Sequence, residues 1–204
     1  MRTPFVLVAL AAVAMSGGRQ ILTTSHRKIN WGYGCGGNCA VNTSGESETV
    51  LGNNPPDVHL EDHGTLAQRQ SDPDGIMTIT TRWKCTFHGA SIAGAERRVF
   101  DLVTDVSECT RTEERMDGGK ATTKKQIVCA APPKKWKLVC VREDVPVKGE
   151  PRAAWVCSPS ENLDNFGTEF PWVFAVEGSI TTVVSGEPHP TTTYELAPPS
   201  DRRD

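Results

Sequence analysis

The sequence predicts a mostly β protein, a small disulfide-stapled antiparallel β-sandwich or barrel with a long polar N-terminal segment. Three observations carry that prediction. Met77-Thr78-Ile79-Thr80-Thr81-Arg82-Trp83-Lys84-Cys85-Thr86-Phe87 alternates with period two, placing Met77, Ile79, Thr81, Trp83, Cys85 and Phe87 on one face. Such alternation is the signature of a half-buried strand. Several further short apolar runs are separated by Gly, Pro and Asp turn signals, the spacing of an all-β architecture. Seven cysteines and five tryptophans in 204 residues suit a domain whose modest core is helped by covalent links.

The elements follow in chain order. Residues 1–16 read as a secretory signal peptide: Arg2 is a positive charge, Phe5 to Met15 are all apolar, and Ala12-Val13-Ala14 or Ala14-Met15-Ser16 offers a small-x-small cleavage site. The apolar run is shorter than the roughly 20 residues of a spanning helix. Residues 17–30 read as an arm or short pro-segment, with Arg27-Lys28 as a processing signal. Residues 31–75 read as a Gly/Pro/acidic loop region, because residues 41–75 hold seven acids against one base, Arg69. Within it, Glu61–Gln70 is a candidate for a helical turn or two, as is Gly89–Arg98.

The disulfide-rich β domain is expected over 76–185. After 77–87, Val99 to Val106 reads as a strand. Gln126–Cys129 and Trp136–Arg142 read as a hairpin about Pro132-Pro133, Ala153–Cys157 as a short strand, and 170–176 with 179–184 as a second hairpin across Glu177-Gly178. Pro171 belongs at the start or edge of its strand. Residues 186–204 read as a frayed, disordered tail.

In an oxidising compartment Cys35, Cys39, Cys85, Cys109, Cys129, Cys140 and Cys157 read as a disulfide framework rather than a zinc site, because no Cys-x-x-Cys pair exists. Seven is odd. One thiol is left buried, free and reactive, or joined to another molecule by an intermolecular disulfide. The pairing is otherwise open, except that Cys129 and Cys140 are not opposite each other in the expected hairpin and should bond elsewhere. Trp83, Trp136 and Trp155 each precede a cysteine by two or four residues, which in a strand puts ring and sulfur on the same side, over the core.

Charge and motif content then narrow the function. A net charge of −3 argues against a general nucleic-acid binder. There is no Gly-x-Ser-x-Gly elbow, and adjacent acids such as Glu61-Asp62, Glu113-Glu114 and Glu143-Asp144 face opposite sides of a strand. His59 and His63 would share a face of a helix but lack the zinc-protease spacing and lie in acidic sequence, so no metal and no cofactor is expected. His26 could chelate copper only as a new N-terminus, and the apolar core ends too far upstream for that.

From Lys120 to Arg142 there are seven basic residues and no acid. On the expected hairpin, Lys124, Lys125, Lys134, Lys135 and Lys137 would create a local positive field for an anionic partner. They could equally shield an exposed edge strand. Trp31 and Tyr33 lie in the glycine-rich loop Trp31-Gly32-Tyr33-Gly34-Cys35-Gly36-Gly37-Asn38-Cys39, where flat rings could meet a sugar face. Asn42-Thr43-Ser44 is a glycosylation sequon.

The layout predicts a secreted, extracellular, cysteine-rich interaction protein, effector or toxin-like. It would bind a host protein, a cell-wall component or an anionic glycan without catalysis. A secreted hydrolase acting on cell-wall polymer, and a structural or glycan-shielding surface protein, are the alternatives.

Overall fold

The computed structural model describes residues 21–54, 57–92, 96–130, 132–160 and 171–196. The expected signal peptide and most of the expected arm lie outside them, as does the chain beyond 196. The described chain is built of eleven strands, with no helix among the described residues. They are β1 (Ile21–Gly36), β2 (Cys39–Asn54), β3 (Asp57–Asp72), β4 (Gly75–Ile92), β5 (Arg97–Asp117), β6 (Lys120–Val128), β7 (Lys135–Val147), β8 (Glu150–Pro159), β9 (Trp172–Ala175), β10 (Ile180–Gly186) and β11 (Thr191–Leu196).

The first six strands form an antiparallel meander. The turn from β5 to β6, like that from β7 to β8, uses residues that tolerate left-handed backbone. Gly118-Gly119 and Lys148-Gly149 have positive φ at both positions, the geometry that joins two twisted strands through a two-residue turn. The sheet order is β6-β5-β4-β3-β2-β1-β10-β11-β7-β8-β9. β5 also pairs with β7, from Arg97↔Val141 to Val103↔Lys135, so the ladder returns on itself. Most pairings are antiparallel; β10 lies parallel to β1, and β11 touches β7 through the single parallel bridge Tyr194↔Val147. The disulfide-stapled, barrel-like β fold expected from the sequence is therefore what forms.

One face of the closed ladder is apolar. Leu51, Leu60, Trp83, Phe87, Phe100, Leu102, Trp136, Leu138, Trp172 and Phe174 make the main core. Phe87 and Trp136 meet edge to face at 5.0 Å, an arrangement their ring quadrupoles favour. β9 is buried on both faces: Trp172 and Phe174 join this cluster, while Val173 and Ala175 join a second one with Val145, Val147, Ala154 and Ile180. Pro171 immediately precedes β9, as its missing N–H requires.

Cysteines pair as Cys35–Cys39, Cys109–Cys129 and Cys140–Cys157. Cys129 and Cys140 do bond elsewhere, and the seventh cysteine is Cys85, buried with a free thiol. Burial pushes that thiol up to about 11. Trp83, Trp136 and Trp155 all lie in or against the main core, beside Cys85, Cys140 and Cys157.

Several expectations are corrected. The part of 17–30 that is described belongs to β1, and 31–75 holds the end of β1 and all of β2 and β3 rather than a loop. Glu61–Gln70 is strand, and the described part of Gly89–Arg98 contains no helical turn. Residues 191–196 of the expected tail form β11, laid along β10. The two expected hairpins do not exist: β6 and β7 both pair with β5, and β9 pairs with β8 while β10 pairs with β1 and β11.

The missed strands are polar because the side of β1–β3 that faces the core is itself partly polar. Ser25, Arg27, Ser47, Thr49 and Asp62 are buried there. Arg27 Nε donates to Ser47 Oγ at 2.8 Å, Thr49 Oγ1 to Asp62 Oδ1 at 2.5 Å and Trp83 Nε1 to Asp62 Oδ2 at 2.7 Å. Arg27 Nη2 reaches Asp62 Oδ1 at 3.5 Å, and its guanidinium lies 5.3 Å from the Trp172 ring centre. Burial lowers the Arg27 pKa and the Asp62 carboxylate opposes that shift. A buried charge tolerates this environment only when it is paired and hydrogen-bonded.

Candidate functional site

Strand alternation identifies the face that continues beyond the core. The core-facing residues of β1 to β4 are joined by register: Thr49↔Asp62↔Cys85 and Ser47↔Gly64↔Trp83. Counting by twos from these, three further rows leave the core. One is Ile29, Gly45, Leu66, Thr81, Arg111 and Ile127. The next is Trp31, Thr43, Gln68, Ile79, Glu113 and Lys125. The last is Tyr33, Val41, Gln70, Met77 and Arg115.

Along β3 and β4, residues 64–82 are all half-buried or exposed, so neither face of this region is packed as the core is. The region is an outgrowth of the sheet, one layer thick. Its inner face carries aromatic and aliphatic side chains at the β1 side and cations at the β5–β6 side.

The aromatic end is pinned. Gly36 and Gly37 turn the β1–β2 hairpin with φ of 87° and 58°, and the Cys35–Cys39 bridge closes it. Just behind that turn Trp31 and Tyr33, two residues apart on one strand, stack with ring centres 5.6 Å apart and planes inclined by 20°. Tyr33 is 36% exposed, while its cross-strand partner Val41 is buried. Gln68 and Gln70 follow on β3, two residues apart on the same face, with amide groups that both donate and accept.

At the other side, Arg111 Nη2 pairs with Glu113 Oε1 at 3.0 Å, and Lys125 is cross-strand from Glu113. Arg115 Nη2 donates to the Asp74 carbonyl at 3.4 Å. Three cations and one carboxylate therefore share the inner face of β5 and β6. Trp31 and Lys125 are five strands apart in one row, about 24 Å along the sheet at the usual strand spacing.

The five lysines expected to share one positive face are divided. Lys125 is on the inner face, whereas Lys124 is on the outer face opposite Glu114. Lys134, Lys135 and Lys137 lie at the start of β7, beside the other half of β5. Lys137 Nζ there contacts Asp101 Oδ1 at 2.7 Å. Lys124 and Lys137 are not diagonal neighbours, since no β6–β7 hairpin forms. β6 is instead a fully exposed edge apart from half-buried Ile127.

Of the remaining candidates, Asn42 is exposed on the outer face of β2, while Thr43 of the same sequon is buried on the inner one. His59 and His63 lie on a strand, where four residues span about 13 Å, too far for one metal ion. His59 Nε2 is 3.0 Å from Glu61 Oε1. No cluster of His, Cys, Asp or Glu suited to a metal occurs among the described residues.

Sequence reasoning placed Trp31 and Tyr33 on a surface but missed Gln68, Gln70, Arg111 and Arg115. The alternation of 77–87 held half the signal; without the pairing register it cannot say which residues lie beside Met77 and Ile79. Compared with protein-family models, curated proteins and solved structures, the chain matches none.

Proposed function

We propose that this is a secreted, non-catalytic binding protein that takes an acidic polysaccharide of a cell wall or host surface along the inner face of its single-layer outgrowth. The observation that carries the reading is the Trp31–Tyr33 stack at the β1 side of a face whose β3 and β4 residues, 64–82, are all half-buried or exposed. Parallel rings offer apolar planes to pyranose faces, and Gln68 and Gln70 offer hydrogen bonds to ring hydroxyls. Arg111, Arg115 and Lys125 supply positive charge in excess of Glu113 for carboxylate or sulfate groups farther along the chain. The rows are long enough for several sugar units, the mode by which weak contacts sum to useful affinity. Export is supported by the apolar leader and the three disulfides, a combination at home in oxidising surroundings. Among the described residues no helix is long and apolar enough to cross a membrane.

Affinity electrophoresis of the pure protein through gels containing polygalacturonate, a sulfated glycan or a neutral β-glucan tests this. Retardation is expected in the acidic gels. Trp31→Ala with Tyr33→Ala should weaken it by about tenfold, the scale of one to two kcal/mol of lost ring contact. Arg111→Gln with Lys125→Gln should remove the preference for acidic over neutral polymer. Lys134→Glu with Lys135→Glu, remote from the face, should leave retardation unchanged. Unaltered mobility in every gel, or an effect confined to the Lys134 and Lys135 variant, rejects the proposal.

A further inference from the structure

The barrel-like body has a second concave feature at the end opposite the β1–β2 turn. Arg98 begins the core-facing row of β5, cross-strand from Cys140, and it precedes Phe100 by two residues. Below it lies a partly open cavity of about 190 Å³ walled by Leu51, Phe100, Trp155, Phe174 and Ala175. An apolar cavity of about 150 Å³ is known to hold one benzene ring, so this space suits a single aromatic ring or a short acyl chain. Openings of this type, at the mouth of a closed sheet and with few polar groups, are where small ligands bind.

The charge at its rim gives the ligand a sign. The Arg98 guanidinium lies over the Trp155 ring, 4.2 Å from its centre. Stacking orients the group without using its N–H donors in a salt link, and no carboxylate pairs with it among the described residues. The adjoining residues Val176 and Thr23 bring no carboxylate to the lining either. An oriented fork of donors above an apolar recess matches a planar anion attached to an apolar body.

We infer that the Arg98–Trp155 mouth is a second binding site, separate from the glycan-binding face, for a small apolar monocarboxylate such as an aromatic acid or short fatty acid. The apolar portion enters among Leu51, Phe100 and Phe174, and the carboxylate meets Arg98 at the opening.

Benzoate and its neutral isostere benzamide are the probes, titrated into the full chain by calorimetry and by NMR of the indole N–H resonances. Benzoate is expected to bind one to one at about millimolar concentration or below, moving the Trp155 resonance and not that of Trp31. Benzamide should bind at least about tenfold more weakly, the value of one charge-assisted hydrogen bond, and Arg98→Gln should abolish that difference. Absence of saturable benzoate binding, equal affinity for the two probes, or a response at Trp31 alone overturns the inference. The wild-type comparison decides the charge requirement even where the Arg98→Gln chain does not fold.

Discussion

Replacing Asp62 by Asn tests whether the buried polar seam, rather than the apolar core alone, holds β1 to β4 together. Asp62 is 2% exposed, and its two oxygens accept from Thr49 Oγ1, Trp83 Nε1 and Arg27 Nη2. An amide in its place turns one acceptor into a donor facing another donor. It also removes the charge that compensates Arg27, itself 1% exposed. Breaking one partner of a buried ion pair costs about 3–5 kcal/mol, and each neutral donor left unsatisfied costs about 1–3 kcal/mol. These contributions overlap, so a loss of about 3–5 kcal/mol is expected. With a urea m-value of about 2 kcal/mol/M, the unfolding midpoint should fall by about 1.5–2.5 M. Urea titration followed by tryptophan fluorescence reads it directly. Arg27→Met should cost a similar amount, and the double variant Arg27→Met, Asp62→Asn clearly less than the sum, because neither charge is then left alone. A midpoint shift below about 0.5 M, or strict additivity of the two changes, would refute the claim that these residues stabilise as a unit.

Three other outcomes follow from particular contacts. A Cβ on Gly64 would lie 2.5 Å from Trp83 Cζ2, 2.6 Å from Ser47 Cβ and 2.8 Å from the Glu46 carbonyl. Gly64→Ala should therefore cost about 1–3 kcal/mol in the same urea assay, whereas alanine at Gly34, with nothing near it, should not. Removing disulfides in pairs should destabilise by about 3 kcal/mol for Cys109–Cys129 and Cys140–Cys157 but about 2 kcal/mol for Cys35–Cys39, since loop entropy grows with the 20, 17 and 4 residues of sequence separation. Thermal melts of the three double-serine variants rank them. For Cys85, whose pKa rises to about 11 from the usual 9.0, folding favours the neutral thiol. Its contribution is thus complete below pH 9 and is lost as pH rises toward 11. Wild type should lose more stability over that interval than Cys85→Ala, and a thiol reagent at pH 8 should modify Cys85 only as fast as the chain opens.

Cys129 and Cys140 do bond elsewhere, but the hairpin from which their separation is expected does not form. The sequence by itself determined the β class, the strand at 77–87 and the tryptophans lying over cysteines. All of these rest on local period-two geometry, which eleven consecutive residues express without help from the rest of the chain. It misjudged 31–75 because low apolar content marks disorder only when a strand must bury greasy side chains. Here Ser47, Thr49 and Asp62 are buried as a hydrogen-bonded set around Arg27, a partner 20 or more residues away in β1 that composition does not reveal. The basic run 120–142 was visible, but its meaning was not. Lys124 and Lys125 differ by one residue, so they occupy opposite faces, and Lys137 is drawn to Asp101 by a β5–β7 pairing of distant segments. Only the tertiary structure decided which strands are neighbours. Cross-strand register sets Trp31 in one row with Gln68 and Lys125 across the β1–β6 meander, and the β5–β7–β8 pairing of segments far apart in the chain lays Arg98 over Trp155.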